Sequence, residues 1–292
     1  MGSRITEEKV TSAVAVEVLK RIAADDIVLP ALPVVASKCL ALLSGPDFSL
    51  DQVARLIETD PILAAQVVRL ANVASRAPVT PVRSIVECAT RVGASELRVF
   101  LLETSARRIF ESSDREISEM CRGLWQHSLA VAILARDLLQ QAKSENAEAG
   151  YLGGLLHDIG KPVTAAMLLD AERRLRGKQT QNWFDPNAWS ELISSTHRVV
   201  GAALAEKWGL PDAVQRSIHE CDDYDSTNTH STANAVRFAN ALAKQAGVYV
   251  GPTDDDEVRS QVFVGQALFA IDEERMQYLT TFLKERVNER MV

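Results

Sequence analysis

Apolar residues recur at intervals of three and four positions along most of this chain, which is the spacing of one face of an α-helix. One such run contains Leu124, His127, Val131, Leu134 and Leu138. A second contains His197, Val200, Leu204 and Trp208. No segment shows the sustained alternation of apolar and polar residues that is typical of a half-buried strand. The pattern therefore predicts an all-α fold.

Polar stretches divide this helical pattern into blocks. The polar segment 111–116 separates a predicted N-terminal helical bundle at residues 10–117 from a second helical domain at residues 118–250. The second domain carries every histidine, and an insertion near residues 173–189 interrupts it. Helices at residues 254–292 are predicted to pack back on the body of the protein, across the first block.

Local signals predict where some helices begin and end. Asp60-Pro61 predicts a helix start, because aspartate is a good N-cap and proline fits the first helical position. Ser195 or Thr196 is predicted to cap a helix that begins with His197, and Gly209 to end it. Gly201, one turn after His197, is expected to let another backbone or a ligand approach closely.

The segment 156–161, Leu-His-Asp-Ile-Gly-Lys, carries the main candidate for chemistry. Adjacent helical residues diverge by about 100°, so His157 and Asp158 can serve one metal only if they enter the site from different sides. Other helices must then supply the remaining ligands. His127 and His197 face inward on their helical stripes, and His219 follows on a short helix.

Each of these residues also has a purely structural interpretation. An inward-facing histidine is commonly a core residue that is hydrogen-bonded to a carbonyl or carboxylate group. For His197 and His219, packing and metal ligation remain equally open. The structural interpretation of Lys161 is a lysine that caps the C-terminus of a helix.

The chain resembles the HD superfamily of metal-dependent phosphohydrolases, and more closely its HD-related output domain (HDOD) branch. The resemblance covers nearly the whole chain and rests on an ordered series of motifs. These are Leu29-Pro30-Ala31-Leu32-Pro33, Asp60-Pro61-Ile62-Leu63, Arg69-Leu70-Ala71-Asn72, the segment 84–93 and the His157-Asp158 doublet.

The resemblance implies roles for particular residues. His127 matches the first histidine of the HD motif, His157 and Asp158 match its doublet, and Lys161 matches a lysine that approaches substrate phosphate. His197 matches a histidine that two-metal relatives use. With His219, it would hold a second ion against Asp158.

Two positions depart from the metal-binding pattern. Asn240 stands where those relatives have a closing aspartate, and a neutral carbonyl oxygen should bind a divalent ion more weakly than a carboxylate. Ile218-His219-Glu220 stands where cyclic-dinucleotide hydrolases have a double histidine. The implied cofactor is one divalent metal (Fe, Mn, Ni, Mg or Zn) held by His127, His157, Asp158 and Asn240, or no cofactor.

Composition places further limits on function. The net charge of −7 disfavours direct nucleic-acid binding, which typically uses a basic face. No apolar stretch approaches the roughly 18 residues of a membrane helix. The four cysteines lack CxxC spacing and are interpreted as buried thiols in a reducing cytoplasm.

Two classes of function therefore compete. The resemblance and the altered ligand set favour a bacterial regulatory output module without catalysis, acting through signalling proteins or a nucleotide second messenger. In that case the first block would relay a signal or hold a homodimer. The alternative is a metal-dependent phosphohydrolase or phosphodiesterase that uses Asp158 and Lys161 in catalysis.

Overall fold

All regular secondary structure in the described part of the chain is helical, which confirms the all-α prediction. The computed structural model describes residues 29–73, 84–112, 115–176, 186–219, 223–281 and 283–291, together with three isolated positions before residue 29. Among these residues, no helix combines the length and apolar character that crossing a bilayer requires. The chain divides into two compact units, residues 31–108 and the remainder.

The smaller unit contains five described helices. They are α1 (Val34–Ser44), α2 (Leu50–Ile57), α3 (Pro61–Val73), α4 (Ile85–Val92) and α5 (Ala94–Arg107). The predicted start of α3 is confirmed, because Asp60 Oδ1 accepts hydrogen bonds from the backbone N–H groups of Ile62 and Leu63. The core of the smaller unit is formed by residues such as Cys39, Leu43, Val53, Ile57, Val67, Cys88, Leu97 and Leu101.

The larger unit contains nine described helices. They are α6 (Arg115–Gln141), α7 (Ala147–Leu156), α8 (Gly160–Arg176), α9 (Pro186–Lys207), α10 (Asp212–His219), α11 (Thr232–Gln245), α12 (Asp255–Leu268), α13 (Glu273–Thr281) and α14 (Leu283–Met291). Helix α6 is the central element and packs against α7 and α11. Helices α8 and α9 pack against each other, and α10 packs against α7 and α11.

The division between the units lies at Arg108–Ile109, nine residues before the end of the first block that the sequence predicted. A 3₁₀ turn at Arg108–Phe110 follows α5. The ring of Phe110 then packs against Trp125 of α6, with 5.3 Å between the ring centroids. The pattern of polar residues does not indicate such an apolar contact, and it therefore placed the boundary at segment 111–116.

Among the C-terminal helices, α12 packs on α11, and α14 packs on α6 of the same unit. Arg286 of α14 forms a two-point ion pair with Asp137 of α6, at 2.6 and 3.2 Å. Arg290 donates a hydrogen bond to the hydroxyl of Tyr151 in α7 at 3.3 Å. These contacts join elements that are far apart in sequence, so the apolar pattern did not indicate them, and the predicted packing across the first block stays a prediction.

The predicted start of the His197 helix was wrong, because α9 begins at Pro186 and contains the two proposed caps in its interior. The hydroxyls of Ser195 and Thr196 both donate hydrogen bonds to the carbonyl of Leu192, one turn earlier. Such bonds let serine and threonine sit inside a helix. The helix ends at Lys207, and Gly209 follows with a positive φ of 61°. The predicted helix end at Gly209 is therefore confirmed.

Three cysteines are buried free thiols, as the sequence predicted, whereas Cys221 lies outside the described residues. Burial raises the pKa of Cys39 and of Cys121 to about 11. Both groups are therefore protonated thiols at neutral pH. The insertion predicted near residues 173–189 also falls largely outside the described residues.

Candidate metal centre

The His-Asp doublet lies in the tight connection between α7 and α8. His157 is the C-cap of α7, Asp158 follows it outside the helix, and α8 begins at Gly160. The turn is closed by a hydrogen bond from the Ile159 N–H to the Leu156 carbonyl at 3.0 Å. Because Asp158 lies outside the helix, its side chain does not have to diverge from that of His157 by the roughly 100° that separates adjacent helical residues.

A backbone contact fixes this connection against α9. A β-carbon added to Gly160 would lie 1.7 Å from the carbonyl oxygen of His197 and 2.8 Å from the amide nitrogen of Gly201. The close approach expected at Gly201 is therefore made by the Gly160 backbone. This packing places His197 beside the doublet, although the two are about 40 residues apart.

Three histidine rings are anchored through Nδ1. In each case the partner is a main-chain carbonyl oxygen, which can only accept, so Nδ1 carries the proton. The N–H groups donate from His127 to Val248 at 2.7 Å, from His157 to Gly154 at 2.7 Å and from His197 to Ser194 at 2.8 Å. This tautomer leaves the Nε2 lone pairs available, and metal-binding histidines are typically held in this way.

All three Nε2 atoms surround the carboxylate of Asp158. Its Oδ2 lies 3.4 Å from His157 Nε2 and 4.0 Å from His127 Nε2, and its Oδ1 lies 3.7 Å from His197 Nε2. Lys161 contacts the same carboxylate, with 2.6 Å between Nζ and Oδ2. His127, His157 and Asp158 are all buried.

Asn240 of α11 completes the group. Its amide oxygen lies 3.0 Å from His127 Nε2. With Nδ1 protonated, both of these atoms are acceptors, so the pair is satisfied by a cation between them or by rotation of the amide. Two neighbouring ligands of an octahedral ion with bonds of about 2.1 Å are separated by roughly this distance.

Burial and charge set the protonation states of the site. Burial lowers the pKa of His127 to about 3 and also lowers the pKa of His197, so both rings are neutral at pH 7. Burial opposes the charge on Asp158, but His157 and Lys161 outweigh it and hold the pKa of this carboxyl well below its ordinary value. Asp158 in turn raises the pKa of Lys161 above its ordinary value, against the effect of burial.

The donor set fits a divalent metal. Ligand atoms of His127, His157 and Asp158 all lie within 4.8 Å of one another. His157 Nε2 is buried and makes no hydrogen bond of ordinary geometry within the described part of the protein, and the Asp158 carboxylate lies 3.4 Å from it. Lys161 already occupies one side of the carboxylate, however, and an ion would compete with it.

Comparison with known proteins identifies the family. The sequence profile of the HDOD domain matches residues 29–224, about two thirds of the chain. The chain belongs to the HDOD family. It is 28% identical over 234 residues to an uncharacterized protein of Treponema pallidum, covering 79% of this chain and 44% of that protein. The chain thus spans less than half the length of this curated relative.

Solved structures share the fold of this HDOD chain. A Shewanella amazonensis protein, provisionally assigned as a metal-dependent phosphohydrolase, matches with a TM-score of 0.71 at 19% identity, over 95% of this chain and 99% of that one. An HDOD domain protein of unknown function from Geobacter sulfurreducens matches with a TM-score of 0.61 at 21% identity, over 95% and 98%. A Marinobacter aquaeolei protein, provisionally assigned to signal transduction, matches with a TM-score of 0.63 at 21% identity, over 96% and 65%.

The HDOD site brings together six of the seven residues that the sequence singled out. The seventh residue, His219, is exposed at the end of α10. The histidines that surround Asp158 in the described part of the protein are His127, His157 and His197. The ligation of a second ion by His219 stays a prediction.

Two further residues at the HDOD site were missed. The ring of Tyr249 packs edge-on against His127 with centroids 4.9 Å apart, and Lys244 Nζ lies 5.0 Å from the centre of the same ring. Lys244 was open to detection, because it follows Asn240 by four residues and so shares its helix face. Tyr249 gave no local signal, since its partner His127 is more than a hundred residues away.

Proposed function

We propose that this HDOD chain is a regulatory output module that binds a signalling protein or a nucleotide and does not hydrolyse phosphoesters. The observation that carries the proposal is the contact between Asp158 and Lys161, at 2.6 Å. The carboxylate that a catalytic ion would need is already neutralised by a side chain of the protein itself.

The charge balance of the site supports this proposal. Asp158 is an anion, Lys161 is a cation, His127 and His197 are neutral, and Asn240 replaces a second anion with a neutral amide. A divalent ion would have to displace the lysine ammonium and would then meet a single negative charge. Sites that bind hard cations tightly do so largely through the number of carboxylates they supply.

The organisation into two units is consistent with a relay. The smaller unit, residues 31–108, has its own apolar core. We propose that this unit carries a surface for a partner or for a second copy of the chain. The predicted division into functional domains at residues 10–117, 118–250 and 254–292 remains a proposal of the same kind.

A metal-dependent phosphohydrolase is the second candidate, and two observations favour it. His157 Nε2 is buried without a well-formed hydrogen bond, and His127 Nε2 lies 3.0 Å from the amide oxygen of Asn240. In this case His127, His157, Asp158 and Asn240 would hold the metal, with His197 and His219 available to a second ion. The metal would acidify a bound water molecule and polarise a phosphoryl oxygen, while Lys161 would neutralise charge on the phosphate.

Hydrolysis of bis(4-nitrophenyl) phosphate distinguishes the two candidates. We expect the unmodified protein, supplied in turn with Mn²⁺, Fe²⁺, Mg²⁺, Ni²⁺ and Zn²⁺, to release 4-nitrophenolate no faster than buffer with the same ion. The measurement is absorbance over time. Metal-dependent release that is lost in Asp158→Ala, while that variant still melts cooperatively, would replace our proposal with the hydrolase.

Asn240→Asp tests whether the missing carboxylate limits metal binding. We expect this variant to bind Mn²⁺ on the order of tenfold or more tightly than the unmodified protein, since ligand charge sets the affinity for such ions. Without metal it should melt at a lower temperature, because a second carboxylate would then lie near Asp158. Calorimetric titration and thermal melting measure the two effects.

Gln245→Glu is the matched control for this variant. Gln245 is exposed near the end of the same helix, so the substitution adds one negative charge outside the site. Its Mn²⁺ affinity should equal that of the unmodified protein. Equal affinities in all three proteins would show that charge at position 240 does not limit binding.

A further inference from the structure

The histidine-aspartate group of the candidate metal centre is shielded from solvent. His127 exposes none of its surface, and His157 and Asp158 expose only 5% and 4% of theirs. An ion or ligand that is to reach the histidine nitrogens must therefore displace a part of the protein. Segments with few main-chain hydrogen bonds open at the lowest cost in free energy, so the moving part should be such a segment.

The segment 248–251 crosses the face of α6 that carries His127. The carbonyl of Val248 accepts the hydrogen bond from His127 Nδ1 at 2.7 Å. The ring of Tyr249 packs edge-on against the His127 ring, with 4.9 Å between the centroids. Lys161 Nζ lies 5.3 Å from the centre of the Tyr249 ring. One aromatic side chain thus lies beside both the histidine and the lysine of the site.

A notch in α6 receives the next residue of this segment. Gly123 lies one turn before His127, and a β-carbon added to it would lie 2.1 Å from Val250 Cγ2 and 3.2 Å from Val250 Cβ. In this arrangement only glycine leaves room for the valine side chain. The Val250 contact therefore fastens the segment against the same helix that carries His127.

The two ends of the segment differ in how firmly they are held. Val248 is fixed, because its N–H donates to the carbonyl of Ala243 at 2.9 Å while its own carbonyl accepts from His127. In the described part of the chain, no hydrogen bond between main-chain groups involves residues 249–251. Gly251 has a positive φ of 125°, and glycine changes its backbone angles with little steric hindrance. Residues 249–251 are therefore held mainly by their side chains.

We infer that residues 249–251 form a strap that gates the candidate metal centre. When the strap is closed, Val250 fills the notch and Tyr249 covers His127. When it opens, both side chains leave α6, while Val248 stays in place and keeps the proton on His127 Nδ1. The open site therefore presents an Nε2 lone pair that is ready to accept a ligand.

The gate does not depend on whether the site hydrolyses its ligand. Any ion or molecule that uses the Nε2 atoms of His127 and His157 has to pass the same barrier. The gate is therefore compatible with the regulatory module and with the hydrolase, and its test needs neither a metal nor a substrate.

Carbethoxylation by diethyl pyrocarbonate tests the strap, because this reagent acylates the unprotonated imidazole nitrogens that it can reach. In the unmodified protein at neutral pH, we expect His127 and His157 to react at least about tenfold more slowly than the exposed His230, since buried groups react only through local opening. Mass spectrometry of proteolytic peptides gives the rate at each histidine.

Tyr249→Ala should raise the rate at His127 by about tenfold or more, because the ring that covers this histidine is removed and less free energy is needed for opening. Tyr249→Phe keeps the ring and should leave the rate unchanged. Tyr278→Ala is the matched control, since Tyr278 is an exposed tyrosine on α13, outside the strap. The rate at His230 should be the same in all of these proteins.

The notch is tested by rescue. Gly123→Ala should also raise the rate at His127, because its methyl group would displace the Val250 side chain. The double variant Gly123→Ala/Val250→Ala removes the displaced methyl groups and should restore the slow rate. All rates are measured at a temperature at which circular dichroism shows every variant to be folded.

Several results would overturn the gate. These are a rate at His127 equal to that at His230 in the unmodified protein, no increase in Tyr249→Ala, and an equal increase in Tyr278→Ala. If Gly123→Ala does not fold, Tyr249→Ala and its two controls decide the question.

Discussion

Asp158→Asn is expected to lower the free energy of unfolding of the larger unit by about 3–5 kcal/mol in chelator-treated protein. The substitution keeps the shape of the side chain but leaves the ammonium of Lys161 without its anion. Lys161 and Asp158 expose only 12% and 6% of their side chains, so water screens the lost interaction weakly. Urea unfolding followed by circular dichroism measures the effect.

A double-mutant cycle isolates the pair. Lys161→Met removes the cation and keeps an unbranched apolar chain, so the double variant Asp158→Asn/Lys161→Met should be more stable than the sum of the single effects predicts. Additive losses would mean that Asp158 acts mainly through the histidines. Asp137→Asn is the control, because the Asp137–Arg286 pair is more exposed and should contribute about 1 kcal/mol or less.

Gly160→Ala is expected to destabilise the same unit by at least about 3 kcal/mol, at the upper end of the usual cost of overpacking. Its β-carbon would lie 1.7 Å from a carbonyl oxygen and 2.8 Å from an amide nitrogen, and both are backbone atoms that no change of rotamer can move. At roughly 2–4 °C per kcal/mol for a unit of this size, the melting temperature should fall by about 6–12 °C. Differential scanning calorimetry provides the measurement.

Gly201→Ala offers a comparison across the same helix contact. Its nearest neighbour would be the Ile218 Cγ2 methyl at 3.1 Å, which belongs to a side chain that can shift. Because alanine also favours helix over glycine by about 1 kcal/mol, this variant should differ little from the unmodified protein. If Gly160→Ala melts like Gly201→Ala, α8 and α9 do not pack backbone to backbone.

The two stability variants also concern the site. The contact at Gly160 holds α9 against the doublet, and the His197 ring lies 3.7 Å from the Asp158 carboxylate. A shift of α9 in Gly160→Ala should therefore weaken any property that depends on this ring. Metal binding in the Asn240→Asp background, measured with and without Gly160→Ala, reports such a shift.

The sequence by itself determined the features that depend on local chemistry. Helical spacing predicted the all-α fold, Asp60-Pro61 predicted the start of α3, and the ordered motifs with the His157-Asp158 doublet indicated the family. These features involve residues close together in the chain or a pattern of residue types, and both are readable without coordinates.

Only the tertiary structure decided which distant groups meet. The carbonyl of Val248 fixes the tautomer of His127, the Tyr249 ring lies beside Lys161 and Lys244, and the backbone of Gly160 meets that of α9. The unit boundary at Arg108 was likewise set by packing. The physical reason is common to all of these: each contact depends on how helices pack, and local residue preferences do not specify the packing partner.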